Sequence, residues 1–330
     1  MQKKQECFPP QWDIAHLRTH LQEAVKLEFW TIAYYMSAMY SLKDRASAAY
    51  RLVQSVVYQE MLHVELAGNL TNAFGGRVRF DTDTPEWGYH GKHIPVLRFN
   101  IDTPDPREIY HPYSAEIGPL DEERLNAMCL IEYPEWLTES TPNLQEDIYA
   151  YGSIGEFYQA VAFGAGELAD HIVGDRKQVD QFQNFYNHFK QPTITDDGPK
   201  GLPQALNLIW AITDQGEGQV QGDKAIPLKY QNTADGFQPS WSHFRKFNAI
   251  RDLPTPPRTY TGDMNPKKGS PGYEAQQTLI RNFTVFRGML DQLFSGPEPP
   301  NFGSLMPTLG GNILTCWQRG AIPKFYPDQT

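Results

Sequence analysis

The sequence predicts an all-α protein built on a four-helix bundle. Apolar residues recur at helical spacing through residues 50–74, which indicates one long amphipathic helix. A second amphipathic stretch, residues 13–42, precedes it after a short connection, and short connections are typical of antiparallel neighbours in bundles. Two further stretches with apolar faces, residues 153–173 and 202–217, supply the remaining helices of the predicted bundle.

The first predicted helix carries a carboxylate inside its apolar stripe. Glu28 falls at helical spacing from the apolar residues, whereas Glu23 lies about 140° around the helix and is expected to face outwards. A buried Glu28 has two explanations, a metal ion or pairing with a Lys, Arg or Tyr side chain. The inward stripe consists of Leu17, Leu21, Ala24, Glu28 and Tyr35.

The second predicted helix places Glu60 and His63 on one face, because residues i and i+3 are neighbours on a helix surface. Both lie in an otherwise apolar stripe, where an unpaired carboxylate is costly. A metal ion would offset that cost, and the simpler alternative is a buried histidine paired with a neighbouring acid. Glu65 is expected to face outwards. Glu28 and Glu60 lie at similar distances from the short connection, so we expect the two carboxylates at similar depth.

Residues 75–149 interrupt the helical pattern and are rich in Pro, Asp, Gly and aromatic residues. Residues 77–81 and 94–102 are predicted to be short extended pieces, and only residues 120–129 have a brief helical pattern. A long irregular segment of this kind commonly covers a site or an interface. A plain structural excursion is the alternative interpretation.

The third predicted helix, residues 153–173, begins with Ser153 as its N-cap, and Glu156 three residues later completes a capping-box pattern. Two interpretations of Glu156 remain open, because it either caps the helix or is a third inward carboxylate. Glu167 and His171 form a rival pair about 16 Å further along the same helix. The two sets cannot serve one metal centre together, and nearby glycines weaken the rival pair.

The fourth predicted helix, residues 202–217, ends at Glu217, which has a glycine on each side. Glycines around an acid predict a distorted turn, a feature that is common at functional sites. An inserted loop follows. Helical character resumes over residues 241–252, where His243 lies on the apolar face.

The C-terminal part adds helices beyond the four of the bundle. A linker rich in Pro, Gly and Lys precedes an extra amphipathic helix over residues 273–294, and a last short helix is predicted over residues 309–319. The sequence contains no solenoid repeat, Gly-rich phosphate loop, nucleophile elbow or zinc-type cysteine cluster. We therefore expect residues 1–330 to form a single domain.

Composition narrows the classes of function. With 40% hydrophobic, 13% aromatic and 21% charged residues, the chain is expected to fold. Its net charge of −10 argues against nonspecific binding to nucleic acids or anionic membranes. No apolar run is long enough for a transmembrane helix. Cys7, Cys129 and Cys316 are scattered, which predicts neither a disulfide framework nor a cysteine metal site and favours a reducing cytoplasm.

The order of the candidate residues resembles that of the ferritin-like di-metal carboxylate bundles. More narrowly, KLEFWTIAYYMSAMYSL, VVYQEMLHVELAGNLTNAFGG, SIGEFYQA, DQGEGQ and SHFRKF resemble the ferritin-like domain of the iminophenylpyruvate dimer synthase family. That family includes enzymes that couple tryptophan-derived imines in violacein and indolocarbazole biosynthesis. The insertion between the last Glu and His departs from the ordinary ferritin spacing. The resemblance implies six metal ligands: Glu28, Glu60, His63, Glu156, Glu217 and His243.

The implied ligands indicate oxygen chemistry. Four carboxylates and two imidazoles suit two Fe ions, with manganese or a mixed pair as alternatives, and the four negative charges balance two divalent cations. The resemblance therefore implies an oxidase or oxygenase that uses O2 on a small organic substrate, for which an amino-acid-derived compound is a candidate. Plain core packing is the commoner role of aromatics such as the candidate pocket residues Phe29, Tyr35, Tyr58 and Phe157.

Two other classes of function are alternatives. A non-catalytic metal-binding or iron-storage-like bundle would use the same ligands, although storage ferritins are shorter chains without such insertions. A structural bundle would pair its buried acids with Lys or Arg, but few basic residues lie near the candidates, and Lys26 is expected on a different face from Glu28. Substrate turnover distinguishes the first class from the second, and metal content distinguishes both from the third.

Overall fold

The protein is predominantly helical, as a computed structural model shows, and the predicted all-α class is confirmed. The described residues form no β-strand, and residues 77–80 of the first predicted extended piece are irregular. The second piece, residues 94–102, lies outside the described residues. The structure describes residues 12–80, 106–134, 144–145, 148, 151–181, 191–216, 225–231 and 237–327.

Within these ranges the chain forms nine α-helices. They are α1 (Ile14–Ser41), α2 (Ala48–Ala73), α3 (Pro106–Ile109), α4 (Glu122–Ile131), α5 (Ile154–Glu167), α6 (Leu202–Gly216), α7 (His243–Arg251), α8 (Pro271–Ser295) and α9 (Phe302–Gln318).

Side-chain caps define where six of these helices begin. Each capping residue accepts a hydrogen bond from the backbone N–H three residues later, which satisfies a donor that has no partner inside the helix. Asp13 caps α1, Asp121 caps α4, and Ser47, Ser153, Ser242 and Ser270 cap α2, α5, α7 and α8.

Helices α1, α2, α5 and α6 form the bundle. α1 packs along α2, α2 contacts α6, α6 contacts α5, and α5 closes the ring against α1. α7 packs against α2, α4 and α6. The bounds of α1, α2 and α6 lie within two residues of the predicted ones.

Two helices differ more from prediction. α5 ends at Glu167 instead of residue 173, and a 3-10 turn follows it. Beyond the turn, the Val173 N–H donates to the Ala73 carbonyl at the end of α2, a contact that a continued helix would not allow. α9 begins at Phe302 instead of residue 309. Pro307 lies inside α9, and because a proline normally ends or kinks a helix, the sequence does not predict the turns that precede it.

A second layer covers the other side of the α1–α2 hairpin. α8 and α9 pack against each other, α9 contacts α1, and α8 contacts α2. Phe29 stacks on Phe283 of α8 with ring centroids 5.3 Å apart. No helix in the described part of the chain is long and apolar enough to span a membrane.

The expectation that Glu23 and Glu65 face outwards is wrong, since both are buried. Glu23 forms an ion pair with Lys26 at 2.5 Å. Glu65 accepts a hydrogen bond from the Gln181 N–H at 2.7 Å and lies among residues of α8 and α9. A helix with a single buried face would expose Glu65, but α8 and α9 bury the reverse face of α2 as well.

Candidate metal centre

Three carboxylates and two imidazoles meet inside the helical core. They come from α1, from α2, from the residue that follows α4, and from the first residue of α7. Each is at most 4% exposed, so none has water to solvate its charge. This Glu/His cluster consists of Glu28, Glu60, His63, Glu132 and His243.

The first half of the Glu/His cluster is formed by α1 and α2. His63 Nδ1 lies 3.4 Å from Glu28 Oε2 and 3.6 Å from Glu60 Oε2. The three side chains can each present one donor atom within 4.8 Å of the others. Three convergent donors of this kind form a possible ligand set for a metal ion.

The second half adds α7 and the end of α4. His243 Nδ1 lies 2.8 Å from Glu60 Oε1 and 3.5 Å from Glu132 Oε2. These three side chains form a second group within the same 4.8 Å limit. Glu60 belongs to both groups, with one oxygen towards each histidine, which is the arrangement of a bridging carboxylate.

A hydroxyl group orients each of the three carboxylates. Tyr158 donates to Glu28 Oε1 at 2.5 Å, Thr31 donates to Glu60 Oε2 at 2.7 Å, and Tyr35 donates to Glu132 Oε1 at 2.6 Å. For Glu28 and Glu132 this leaves Oε2 directed at a histidine. Hydrogen bonds that fix ligand oxygens in this way preorganise a metal site.

A glutamine fixes the orientation of His63. Gln215 donates through Nε2 to the Tyr230 carbonyl, so its amide oxygen faces His63 Nε2 at 3.0 Å. An amide oxygen only accepts, so His63 Nε2 must carry the hydrogen. In the neutral ring the lone pair therefore sits on Nδ1, the atom that faces Glu28 and Glu60.

A second glutamine, Gln59, fixes the orientation of His243. The buried Lys246 ammonium donates to Gln59 Oε1 at 2.9 Å, which identifies that atom as the acceptor. His243 Nε2 lies 3.2 Å from the same oxygen and donates to it. The Nδ1 lone pair of a neutral His243 then faces Glu60 and Glu132.

Unpartnered buried atoms fit this donor set to a cation. Glu60 Oε1 and His243 Nδ1 are both buried and lie 2.8 Å apart, yet neither has an aligned hydrogen-bond partner among the described residues. With a neutral His243, two acceptor lone pairs would face each other, and a proton on Nδ1 or a shared cation relieves that cost. The residues present therefore fit a metal ion.

The pKa shifts in the Glu/His cluster agree with a cation site. Burial raises the pKa of Glu28 to about 7 in spite of the nearby His63. Burial also opposes ionisation of Glu60, but His63 and His243 hold its pKa well below the ordinary range. Burial lowers the pKa of His63, yet Glu60 and Glu28 outweigh it and raise that pKa to about 10. A proton on His63 thus balances buried negative charge, a role that a bound cation would take over.

The structure brings four of the six sequence-predicted ligands together: Glu28, Glu60, His63 and His243. Glu156 is buried and lies in neither three-residue group. Its own N–H donates to Ser153 Oγ, as in a capping box, and its carboxylate accepts from the Gly152 N–H at 2.6 Å, one residue before the N-cap. Glu217 lies outside the described residues.

Sequence analysis missed Glu132. It follows α4 directly as the C-cap residue and has no apolar periodicity around it. Two weak features of the sequence point to Glu132. It follows a short apolar helix, and it lies in a long irregular segment that is expected to cover a site. The rival pair Glu167 and His171 is exposed, away from the buried Glu/His cluster.

The candidate pocket aromatics divide by location. Tyr35 donates to Glu132 and so belongs to the surroundings of the Glu/His cluster. Phe29 packs in the α8–α9 layer, Phe157 stacks on His20, and Tyr58 lines a cavity on the reverse side of α2. The expectation of few basic residues near the ligands also needs correction, because Lys246 is fully buried beside Gln59.

Comparison with known proteins agrees with the geometry. Among solved structures, the chain is similar to the crystal structure of a ferritin-like protein from Caulobacter vibrioides, with 45% sequence identity and a TM-score of 0.83. The match covers 97% of this chain and all of that one. No curated protein matches the chain. A family model described as ferritin-like matches residues 21–252, a span that includes the whole Glu/His cluster, and the chain therefore belongs to the ferritin-like family.

Proposed function

We propose that the Glu/His cluster binds two iron ions and that the protein uses O2 to oxidise a small organic substrate. The main support for the proposal is that two groups of three candidate ligands share Glu60. Two donor sets joined by one carboxylate suit two metal ions about 3.5–4 Å apart. Mixed carboxylate and imidazole donors suit iron, and manganese is the alternative metal.

Charge supports one or two further ligands. Glu28, Glu60 and Glu132 supply at most three negative charges for two divalent cations. Glu217 and Glu156, which the family resemblance implies as ligands, are proposed to complete the set. The position of Gly216 supports the proposal for Glu217. A Cβ atom at Gly216 would lie 2.9 Å from Glu132 Oε2, so the residue directly before Glu217 is already beside the Glu/His cluster.

The surrounding residues suit oxygen chemistry in three ways. Burial of the Glu/His cluster excludes bulk water, the hydroxyls of Tyr35 and Tyr158 hold carboxylate oxygens in place, and Gln59 and Gln215 keep the Nδ1 atoms available. When bound, iron supplies the electrons that reduce O2. The resemblance to the iminophenylpyruvate dimer synthase family favours an amino-acid-derived substrate.

Anaerobic loading with Fe(II) tests the metal part of the proposal. Wild-type protein is expected to retain about two iron ions per chain, whereas Glu60→Gln should retain far less because both groups lose their shared ligand. Glu65→Gln is the matched control, since Glu65 is a buried acid on the same helix outside the Glu/His cluster. Equal iron content in all three proteins would contradict the proposal.

Exposure of the loaded protein to O2 tests the chemical part. Oxygen uptake that rises when a set of amino-acid-derived compounds is added, with product detected by mass spectrometry, would support an oxidase or oxygenase. Continued uptake of iron far beyond two ions per chain, with mineral formed and no organic product, would indicate storage instead. Absence of any bound metal would leave a structural bundle.

A further inference from the structure

A second site lies on the reverse side of the α1–α2 hairpin. A partly open cavity of about 430 Å³ is lined by α1, α2, Gln181 and the first turns of α9. Its lining contains no residue of the Glu/His cluster. On α2 the two sites use adjacent residues, since Glu60 belongs to the Glu/His cluster and Met61 lines the cavity. Adjacent residues of a helix point about 100° apart, so the sites lie on different faces.

Methionine dominates the wall of this cavity. Four of the eight methionines in the chain line it: Met36, Met39, Met61 and Met306. Methionine is flexible and polarizable, adapts to the shape of a ligand, and makes favourable contacts between sulfur and aromatic rings. A volume of this size falls in the range of small-molecule pockets.

The polar groups at the cavity indicate the chemistry of its ligand. None of the described lining residues is charged, which favours an uncharged ligand. The polar side chains of the lining include Gln54 and Tyr58, and Gln54 donates through Nε2 to the Tyr58 hydroxyl at 3.4 Å. The amide oxygen of Gln54 only accepts, so the wall contains an acceptor for a ligand hydroxyl or N–H.

We propose that this cavity binds an uncharged aromatic small molecule that carries a hydrogen-bond donor. The apolar ring would pack against the methionine side chains, and the donor would reach the amide oxygen of Gln54. This site does not depend on the proposed function, because its residues are separate from the Glu/His cluster and its test needs no metal.

Methyl NMR of the full chain labelled with carbon-13 at the methionine methyl groups tests the proposal, with β-naphthol as the probe. Added β-naphthol should shift the resonances of Met36, Met39, Met61 and Met306. Met128 and Met264, which are not in the lining, should keep theirs. The methyl ether of β-naphthol lacks the donor and should bind roughly ten-fold more weakly. No saturable shift, or equal shifts at all methionines, would overturn the site, and equal affinity for the ether would overturn the donor assignment.

Two glycine variants of α9 supply the matched test. Neither Gly303 nor Gly311 has an atom within 4 Å of an added Cβ, so a side chain at either position starts in open space. Of the two, only Gly303 lines the cavity. Gly303→Leu is expected to weaken β-naphthol binding roughly ten-fold by occupying part of the cavity, while Gly311→Leu should leave the affinity unchanged. Identical affinities in the two variants would contradict the proposed location.

Discussion

One side of the α1–α2 hairpin faces α5, α6 and α7 and holds the Glu/His cluster, whereas the other faces α8 and α9 and holds an aromatic layer. Adjacent residues serve the two sides, since Glu28 precedes Phe29 and Glu60 precedes Met61. The polar side is organised by directed hydrogen bonds around one charged cluster. The apolar side is held together by the packing of buried aromatic and aliphatic side chains. The two sides should therefore respond differently to mutation, one in metal affinity and the other in stability.

The largest expected effect is on the apolar side. Phe283 is buried against Phe29, Phe325 and Tyr326. Phe283→Ala should lower the free energy of unfolding by about 3–5 kcal/mol, because it removes a large buried ring and leaves a cavity. Urea unfolding of metal-free protein measures this loss. Metal affinity below the unfolding transition should stay at the wild-type value, and a large fall in it would show that the two sides are not separate.

A smaller effect is expected from the glutamine that holds His63. Gln215→Leu should lower metal affinity by about 10–100-fold, because His63 loses the acceptor that keeps Nδ1 available. Competition with a chelator compares this variant with the wild-type protein.

The matched glutamine on the other side is Gln276, which is buried and donates to the Met264 and Ile322 carbonyls. Gln276→Leu should reduce stability and leave metal affinity unchanged. If Gln276→Leu weakened metal binding as much as Gln215→Leu, the assigned role of Gln215 would be wrong.

Removal of one hydroxyl should have a lesser effect still. Tyr158→Phe deletes the donor to Glu28 Oε1 and should reduce metal affinity by about 1 kcal/mol, or about five-fold. Tyr34→Phe is the control, because Tyr34 donates to the Ser114 carbonyl instead of a ligand. Calorimetric titration with Mn(II) compares them, and equal affinities for the two variants would argue against ligand orientation by Tyr158.

The smallest effect is a pH dependence near the start of α1. His20 donates to the His16 carbonyl and accepts from the Tyr151 hydroxyl, which satisfies a neutral ring. Burial lowers the pKa of His20 from 6.5 to about 4. Its contribution to stability is therefore complete above pH 6.5 and is lost as the pH falls towards 4.

Urea unfolding tests this at about pH 7 and about pH 5.5. Wild-type protein should lose about 1 kcal/mol more stability on acidification than His20→Gln, which has no titrating ring. The same pH dependence in both proteins would exclude His20 as its source.

The fold and four of the five residues of the Glu/His cluster could be predicted from sequence, because helical periodicity indicates which residues are buried. His243 lies on the apolar face of the short helix α7. Glu28, Glu60 and His63 lie inside long amphipathic helices, where spacing defines the buried face. Glu132 could not be predicted, since a residue just beyond a short helix has no periodicity and only tertiary packing brings it to His243. Glu65 was misplaced for a related reason, because its burial depends on helices α8 and α9 that are distant in the sequence.

The same limit applies to the glutamines. Gln59 and Gln215 carry no sequence signal, because their role comes from a histidine on another helix in each case. Sequence periodicity therefore predicts which residues are buried, and only the packed structure shows which buried residues meet.

Anomalous diffraction from crystals loaded anaerobically with Fe(II) is the most direct test of the central claim. Two iron peaks about 3.5–4 Å apart are predicted, one beside Glu28 and His63 and one beside Glu132 and His243, with Glu60 between them. A single peak, or iron bound elsewhere while these side chains keep their mutual contacts, would contradict the assignment of the Glu/His cluster as a dinuclear centre.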